Sequence, residues 1–104
     1  MKREINLTRR AEADLDSILT WLESRSPSGA VVWLKSLEAT FEWLEENAAS
    51  CPLASENDSF EEEIRERLFK TKRGRYYRLL FTMTARQVQL LHIRGPGQDF
   101  VHPQ

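Results

Sequence analysis

The chain has 104 residues, 40% of them apolar and 10% aromatic, which suffices for one domain with a buried core and excludes wholesale disorder. No window approaches the roughly 20 apolar residues of a membrane span, and the charged start of the chain lacks the apolar run of a secretory signal. One cysteine and two histidines exclude an internal disulfide framework and argue against a zinc site. We therefore expect a single cytoplasmic domain over residues 1–104, with no metal or cofactor.

The net charge of −1 conceals two halves of opposite sign. Residues 1–63 carry six basic and fourteen acidic side chains, whereas residues 64–104 carry nine basic and two acidic ones. Such asymmetry suggests a positive face for an anionic partner, either a nucleic acid or an acidic protein segment. The alternative is that the two halves neutralise each other within the monomer. Charge alone leaves both interpretations open.

The first half of the chain predicts a short strand followed by two helices. Residues 3–7 alternate polar and apolar side chains, as a half-buried strand does. Thr8 is a candidate N-cap for a helix over residues 9–24. Ser26-Pro27 begins a second helix over residues 27–49, because proline at the first helical position loses no hydrogen bond. The short turn between them predicts an αα-hairpin.

The three tryptophans differ in their positions on these helices. Trp33 lies beside the apolar stripe of the second helix, so we expect it in the core. Trp21 and Trp43 fall at the edges of their stripes. Helix-edge tryptophans often complete ordinary packing, but aromatic side chains are also enriched in the centres of protein interfaces. Both interpretations stay open.

A connection and three strands make up the second half. Residues 51–63 are rich in turn formers and have no periodicity, and their length favours a mobile connection with a solvated acidic run. Strands are predicted over residues 64–70, 75–83 and 87–93, separated by short turns. The order β-α-α-β-β-β predicts an α+β domain in which the αα-hairpin packs on a mostly antiparallel, twisted sheet.

The basic strand residues are the best candidates for chemistry. Arg65 and Arg67 share one face of their strand, and Arg78 of the next strand could join them. Guanidinium groups match phosphate oxygens and could stabilise the charge that develops in phosphodiester cleavage, while Tyr76-Tyr77 could stack a base. A simpler interpretation is that the arginine stems cover apolar sheet edges with their charges in water. No Ser-His-Asp or Cys-His constellation is present.

Four segments in sequence order resemble the RelE/ParE superfamily of type II toxin–antitoxin toxins, also known as plasmid stabilisation proteins. Residues 7–15 resemble the family's L-T-x-x-A-x-x-D-L start of the first helix, and Ser26-Pro27 with Ala30 resembles the start of the second. Residues 76–81 are similar to its Y-R-V-L-Y strand, and residues 88–99 to the last strand with its I-R-H-x-R-D end. The resemblance covers most of the chain.

The superfamily contains ribosome-dependent mRNA endonucleases (RelE-like) and inhibitors of DNA gyrase (ParE-like), both neutralised by an antitoxin. In the nuclease branch the resemblance implies that Arg78 is a catalytic charge stabiliser. This chain, however, has Gly95 and Gln98 where many relatives have His and Arg. A nuclease without those groups would lose transition-state contacts often worth ~10²-fold each. The departures favour a ParE-like toxin that arrests growth by binding rather than by catalysis; an mRNA endonuclease and a non-toxic relative are the alternatives.

The resemblance also implies partners. A disordered antitoxin segment is expected to fold over the basic sheet and the helix grooves, and DNA gyrase is the expected target, with the ribosome and its mRNA as the alternative. A homodimer or a heterotetramer with the antitoxin is compatible with this arrangement. The residues expected to bind antitoxin or target are Trp21, Trp43, Arg65, Arg67, Lys70, Lys72, Arg75, Tyr77, Arg78 and Arg94.

Overall fold

A computed structural model describes residues 2–96 of the chain. Its helices and strands are β1 (Glu4–Leu7), α1 (Arg9–Arg25), α2 (Pro27–Asn47), β2 (Arg65–Phe69), β3 (Tyr77–Met83) and β4 (Gln87–Arg94). The sheet order is β1-β4-β3-β2, with β1 parallel to β4 and the other two pairs antiparallel. The predicted α+β order is confirmed. Within residues 2–96 no helix has the length and apolar character to cross a membrane.

Both predicted helix starts are confirmed at atomic detail. The hydroxyl of Thr8 accepts from the backbone N–H of Ala11 at 3.1 Å, and that of Ser26 accepts from the N–H of Gly29 at 3.1 Å. Each hydroxyl thereby satisfies one of the N–H groups that a helix start leaves without an intrahelical partner. Ser26 also ends α1, since its own N–H donates to Leu22 O at 2.7 Å. One residue therefore separates the two helices of the hairpin.

The helical hairpin covers one face of the sheet, here called the inner face. Side chains of α2 (Trp33, Leu37 and Leu44) pack with inner-face strand residues such as Leu79 and Phe81 in the main core. This confirms the core position predicted for Trp33, which is 3% exposed. The apolar stripe of α1 is buried less completely, because all of its members beyond Ala11 keep part of their surface accessible.

Helix α1 also completes the edge of β4 where β1 ends. The hydroxyl of Thr8 donates to Leu91 O at 3.3 Å, and Asp14 Oδ2 accepts from the N–H of Ile93 at 3.0 Å. A strand edge without such partners would leave buried polar groups unpaired. Thr8 and Asp14 of the L-T-x-x-A-x-x-D-L pattern thus have a structural role, which is to bond the backbone at this edge of β4.

A β-bulge interrupts the pairing of β3 with β4. Leu80 pairs with His92 and Phe81 with Leu90, so Leu91 is the extra residue. Leu90 and Ile93 are three positions apart, yet both are buried in the inner-face core, which strict alternation would forbid.

Residues 52–64, here called the strap, cross the opposite, outer face of the sheet. The N–H of Ala54 donates to Ile64 O at 2.8 Å, and the N–H of Ile64 donates to Asn57 Oδ1 at 2.9 Å. Ala54 and Ile64 form a second small core with Leu80. The strap is therefore packed on the sheet, because its scattered apolar residues contact the outer face. This differs from the mobile connection predicted for residues 51–63.

Candidate functional site

An open groove of about 970 Å³ lies between the helical hairpin and the β2–β3 turn. Helix α1 and the start of α2 form one wall, and the turn with the residues after β4 forms the other. The lining residues are Ser17, Ile18, Trp21, Leu22, Arg25, Ser26, Gly29, Trp33, Thr71, Arg73, Gly74, Arg75, Tyr77, Gly95 and Pro96. The groove thus joins parts of the chain that are distant in sequence.

The rim of the groove is basic and aromatic. Arg25, Arg73 and Arg75 are exposed, and within the part of the chain that the structure describes no acidic residue lines the groove. The guanidinium carbon of Arg25 lies 4.6 Å from the ring centroid of Trp21, a cation–π distance. Trp21 is nevertheless 53% exposed. An exposed tryptophan and three arginines around one groove are residue types enriched in protein interfaces.

The floor of the groove is an aromatic cluster. Trp33 packs edge-on against Tyr77 with ring centroids 5.3 Å apart, and Phe69 lies 5.6 Å from Trp33 and 5.7 Å from Tyr77. Burial raises the pKa of the Tyr77 phenol. The Trp33 Nε1 atom is buried and has no hydrogen-bond partner among residues 2–96. Tyr77, predicted as a binding residue, thus lies in the floor of the groove and is only 9% exposed.

An ion-pair cluster lies on the outer face, behind the groove. Arg78 Nη2 donates to Glu56 Oε1 at 2.6 Å, and its Nη1 donates to Glu56 Oε2 at 3.0 Å. Its Nε donates to Glu66. Glu56 is 0% exposed. Hydrogen bonding to Glu56 is the main reason that the pKa of Arg78 is raised; burial opposes it and Glu66 adds to it.

The arginines predicted to share one face lie on two. In the β2–β3 register Arg67 pairs with Leu79, and Leu68 pairs with Arg78. Because paired residues of antiparallel strands point to the same side, Arg65 and Arg67 lie on the helix side and Arg78 on the outer side. The prediction that Arg78 joins Arg65 and Arg67 is wrong, since the register is offset by one residue from the alignment it required.

Arg65 and Arg67 are engaged in packing. Arg65 Nη1 donates to Cys51 O at 2.6 Å, which holds the start of the strap against β2. The guanidinium carbon of Arg67 lies 3.9 Å from the ring centroid of Trp43. Trp43 is accordingly half-buried against the main core, as expected for helix-edge packing.

Of the predicted binding residues, the structure brings three together in the groove: Trp21, Arg75 and Tyr77. Lys70 lies near Tyr76, with its Nζ 5.2 Å from the ring centroid, and Lys72 is exposed in the turn outside the groove lining. Arg94 pairs with Arg78 in the β3–β4 register.

Sequence reasoning missed Arg25 and Arg73 as groove residues. The four-residue spacing of Trp21 and Arg25 on one helix was a usable signal, because such residues are neighbours on the helix surface. Nothing local indicated Arg73, whose position depends on how the β2–β3 turn meets the hairpin. Gln98 and the end of the I-R-H-x-R-D pattern lie outside the described residues.

His92, also on the outer face, predicts a pH dependence of stability. Burial lowers the pKa of His92, although nearby Asp14, whose Oδ2 lies 3.8 Å from its Nδ1, opposes the shift. The unfolded histidine therefore takes up a proton as the pH falls through about 6.5, while the folded one does so only at lower pH, so stability present above that pH is lost below it. Urea unfolding at about pH 7.5 and about pH 5 should show a smaller acid loss for His92→Gln than for the wild type. Equal losses would contradict a partly buried His92 that resists protonation in the folded chain.

Among residues 2–96, no three histidine, cysteine or carboxylate side chains are grouped to hold a metal ion. Residues 5–100 match the family model described as ParE toxin of type II toxin–antitoxin system, parDE. The fold is similar to a solved structure titled "Chromosomal ParDE TA system from P. aeruginosa", with a TM-score of 0.66 and 21% identity, over 89% of this chain and 95% of that chain. No curated protein matches the sequence.

Proposed function

The chain belongs to the ParE toxin family of type II toxin–antitoxin systems, and from this we propose that it arrests growth by binding a protein target and is neutralised by a cognate antitoxin. The target that the sequence resemblance implies for this branch is DNA gyrase. A toxin that acts by binding needs an accessible recognition surface and no catalytic group. The relevant observations are therefore which side chains are exposed and which are already bonded within the protein.

The proposal rests mainly on the hydrogen bonds that Arg78 already makes within the protein. Both terminal nitrogens of this guanidinium are bonded to Glu56 and its Nε to Glu66. An arginine that stabilises charge in a transition state must meet the reacting phosphate directly. Here the carboxylates of Glu56 and Glu66 occupy the guanidinium nitrogens that would otherwise contact a phosphate, and the strap covers the same face of the sheet. The arrangement supports action by binding and argues against RNA cleavage at Arg78.

The side chains that line the groove favour an antitoxin segment that is acidic and amphipathic. Its floor is aromatic, its rim carries Arg25, Arg73 and Arg75, and none of its lining residues among residues 2–96 is a carboxylate that would repel such a segment. A disordered chain that folds on binding needs apolar anchors to offset its ordering entropy and charges to guide it. Exposed Trp21 and the three arginines would supply these two contributions.

The test is controlled expression of the chain with and without a co-expressed candidate antitoxin. We expect growth arrest with DNA-damage signalling from the chain alone, normal growth with the antitoxin, and inhibition of gyrase supercoiling by the purified protein. Normal growth from the soluble chain alone would contradict toxicity. Cleavage of ribosome-bound mRNA by the purified protein, without gyrase inhibition, would overturn the proposal in favour of an endonuclease.

A further inference from the structure

The indole N–H of Trp33 is a hydrogen-bond donor without an acceptor in the floor of the groove. Its Nε1 atom is buried and has no partner among residues 2–96, and the residue as a whole is 3% exposed. The rings of Phe69 and Tyr77 lie 5.6 and 5.3 Å from the Trp33 ring, centroid to centroid, and an aromatic face is at most a weak acceptor. Buried donors in native proteins are almost always paired, so this donor indicates a partner outside the chain.

The surroundings of Trp33 indicate the chemistry of that partner. Trp33 lines the groove, and an indole nitrogen donates hydrogen bonds but never accepts them. The exposed rim residues Arg25, Arg73 and Arg75 add three positive charges around the same groove, and among residues 2–96 no carboxylate lines it. Donors and positive charges without an anionic acceptor are complementary to a ligand that brings negatively charged oxygen atoms.

We propose that Trp33 is a specificity-determining residue of the groove, and that its Nε1–H donates to an aspartate or glutamate carboxylate of the bound antitoxin. This contact rests on the function proposed above, since it lies within the surface that receives the antitoxin. Because Nε1 lies beneath the surface of the free groove, lining side chains shift to admit the carboxylate. Changes of side-chain rotamer are common when protein interfaces form.

Specificity follows from the cost of leaving the Trp33 donor unpaired. An antitoxin segment with a carboxylate at the matching position pairs the donor, whereas a segment with an apolar residue there leaves it buried and unpaired. Hydrogen bonds to charged groups contribute more than those to neutral groups, so the two segments should differ by about ten-fold or more in Kd. The rim arginines attract any acidic segment, while Trp33 selects the segment whose carboxylate is in the correct register.

Nuclear magnetic resonance of the indole groups detects the bond directly. In the 15N-labelled chain, the Nε1–H signals of Trp21, Trp33 and Trp43 are assigned by replacing each residue in turn with phenylalanine. When the candidate antitoxin of the co-expression experiment binds, the Trp33 proton signal should move downfield, because the proton then donates to oxygen. The Trp43 signal is the internal control and should stay in place, since Trp43 lies outside the groove lining.

The outcomes separate this contact from the function on which it rests. A complex in which the Trp21 signal moves but the Trp33 signal does not would overturn the contact and leave the groove as the antitoxin site. If no complex forms, or if neither signal moves on binding, the groove does not receive the antitoxin, and the proposed function of the groove is wrong together with the contact.

An isosteric replacement measures the contribution of the N–H group. Replacing Trp33 with β-(3-benzothienyl)alanine puts sulfur in place of the N–H and keeps the size of the ring. The free energy of unfolding should stay unchanged, because Nε1 has no partner within residues 2–96, whereas a donor with a structural role would show a loss. Affinity for the antitoxin should fall by about ten-fold or more. The same replacement at Trp43 is the matched control and should leave the affinity unchanged.

A smaller effect of this replacement would identify a different acceptor. A fall in affinity of less than about ten-fold is the result expected for a neutral backbone carbonyl and would overturn the assignment to a carboxylate. A loss of stability with unchanged affinity would overturn the whole proposal, since the N–H would then serve the fold. If the modified chain does not fold, the indole signals of the wild-type complex decide the proposal.

Discussion

Replacing Arg78 with leucine should lower the free energy of unfolding by about 3–5 kcal/mol, the range observed when one partner of a buried ion pair is removed. The cost arises from Glu56, which is 0% exposed and would keep a charge without its main partner. Urea unfolding at neutral pH measures it. Arg75→Leu is the matched control, because Arg75 is exposed and its replacement should change stability by less than about 0.5 kcal/mol.

The double substitution of Glu56 and Arg78 by leucine should recover most of that loss. Replacing both members of a buried pair with apolar groups is often neutral. Glu66, which loses its bond from Arg78 Nε in this variant, is 21% exposed and can be hydrated instead. A single Arg78→Leu variant as stable as the wild type would contradict the structural role of the pair. If the double variant is as unstable as the single one, the loss of stability comes from lost side-chain packing and not from the unpaired carboxylate.

This stability effect changes how a loss of toxicity in Arg78 variants is interpreted. Arg78→Ala is the natural test of a catalytic arginine, but the buried Glu56 makes it a folding variant as well. Loss of growth arrest is evidence for catalysis only if the variant is folded at the assay temperature. The apolar double variant is the better comparison, because it removes the guanidinium together with the buried carboxylate of Glu56 that depends on it.

The helices and the order of the elements along the chain were predictable because their signals are local. Thr8 and Ser26 cap their helices as expected, and the apolar stripe of α2 correctly placed Trp33 in the core. Hydroxyl caps and helical periodicity act within one turn of the chain, so a short window of sequence contains the whole interaction.

The outer face was not predictable by the same means. The strap covers this face through the ion pair of Glu56 with Arg78, which is 22 residues further along the chain. The bulge at Leu91 depends on the pairing of two strands. Neither has a periodic signal. Strict alternation within each strand gave the correct faces of β2 and β3 separately, but only the register shows that Arg67 and Arg78 lie on opposite sides.

The candidate groove was predictable only in part for a related reason. Trp21 was a candidate as a helix-edge aromatic and Arg75 as a basic residue of the predicted strand over residues 75–83, and both line the groove. Their proximity follows from packing of the β2–β3 turn beside the hairpin, which no local pattern encodes. Arg65 and Arg67, equally basic, are used instead to hold the strap and Trp43. Basic character therefore identified the right half of the chain but not which arginines are available.

Reversing two charges at the groove rim should weaken the complex with the antitoxin by roughly 10- to 100-fold, because each reversal replaces an attraction by a repulsion worth up to about 1 kcal/mol. The variant is Arg73→Glu with Arg75→Glu; both side chains are exposed and line the groove. Titration calorimetry or surface binding kinetics would measure the affinity, with most of the loss expected in the association rate.

The matched control is Lys35→Glu with Arg86→Glu, which makes the same change in net charge at two exposed residues outside the groove lining. This control should retain an affinity close to that of the wild type. The wild-type affinity should fall as salt is raised, whereas that of the rim variant should respond much less, since screening then weakens both attraction and repulsion. Equal losses in the rim and control variants would show that the antitoxin responds to net charge alone. An unchanged affinity in the rim variant would place the antitoxin on another surface.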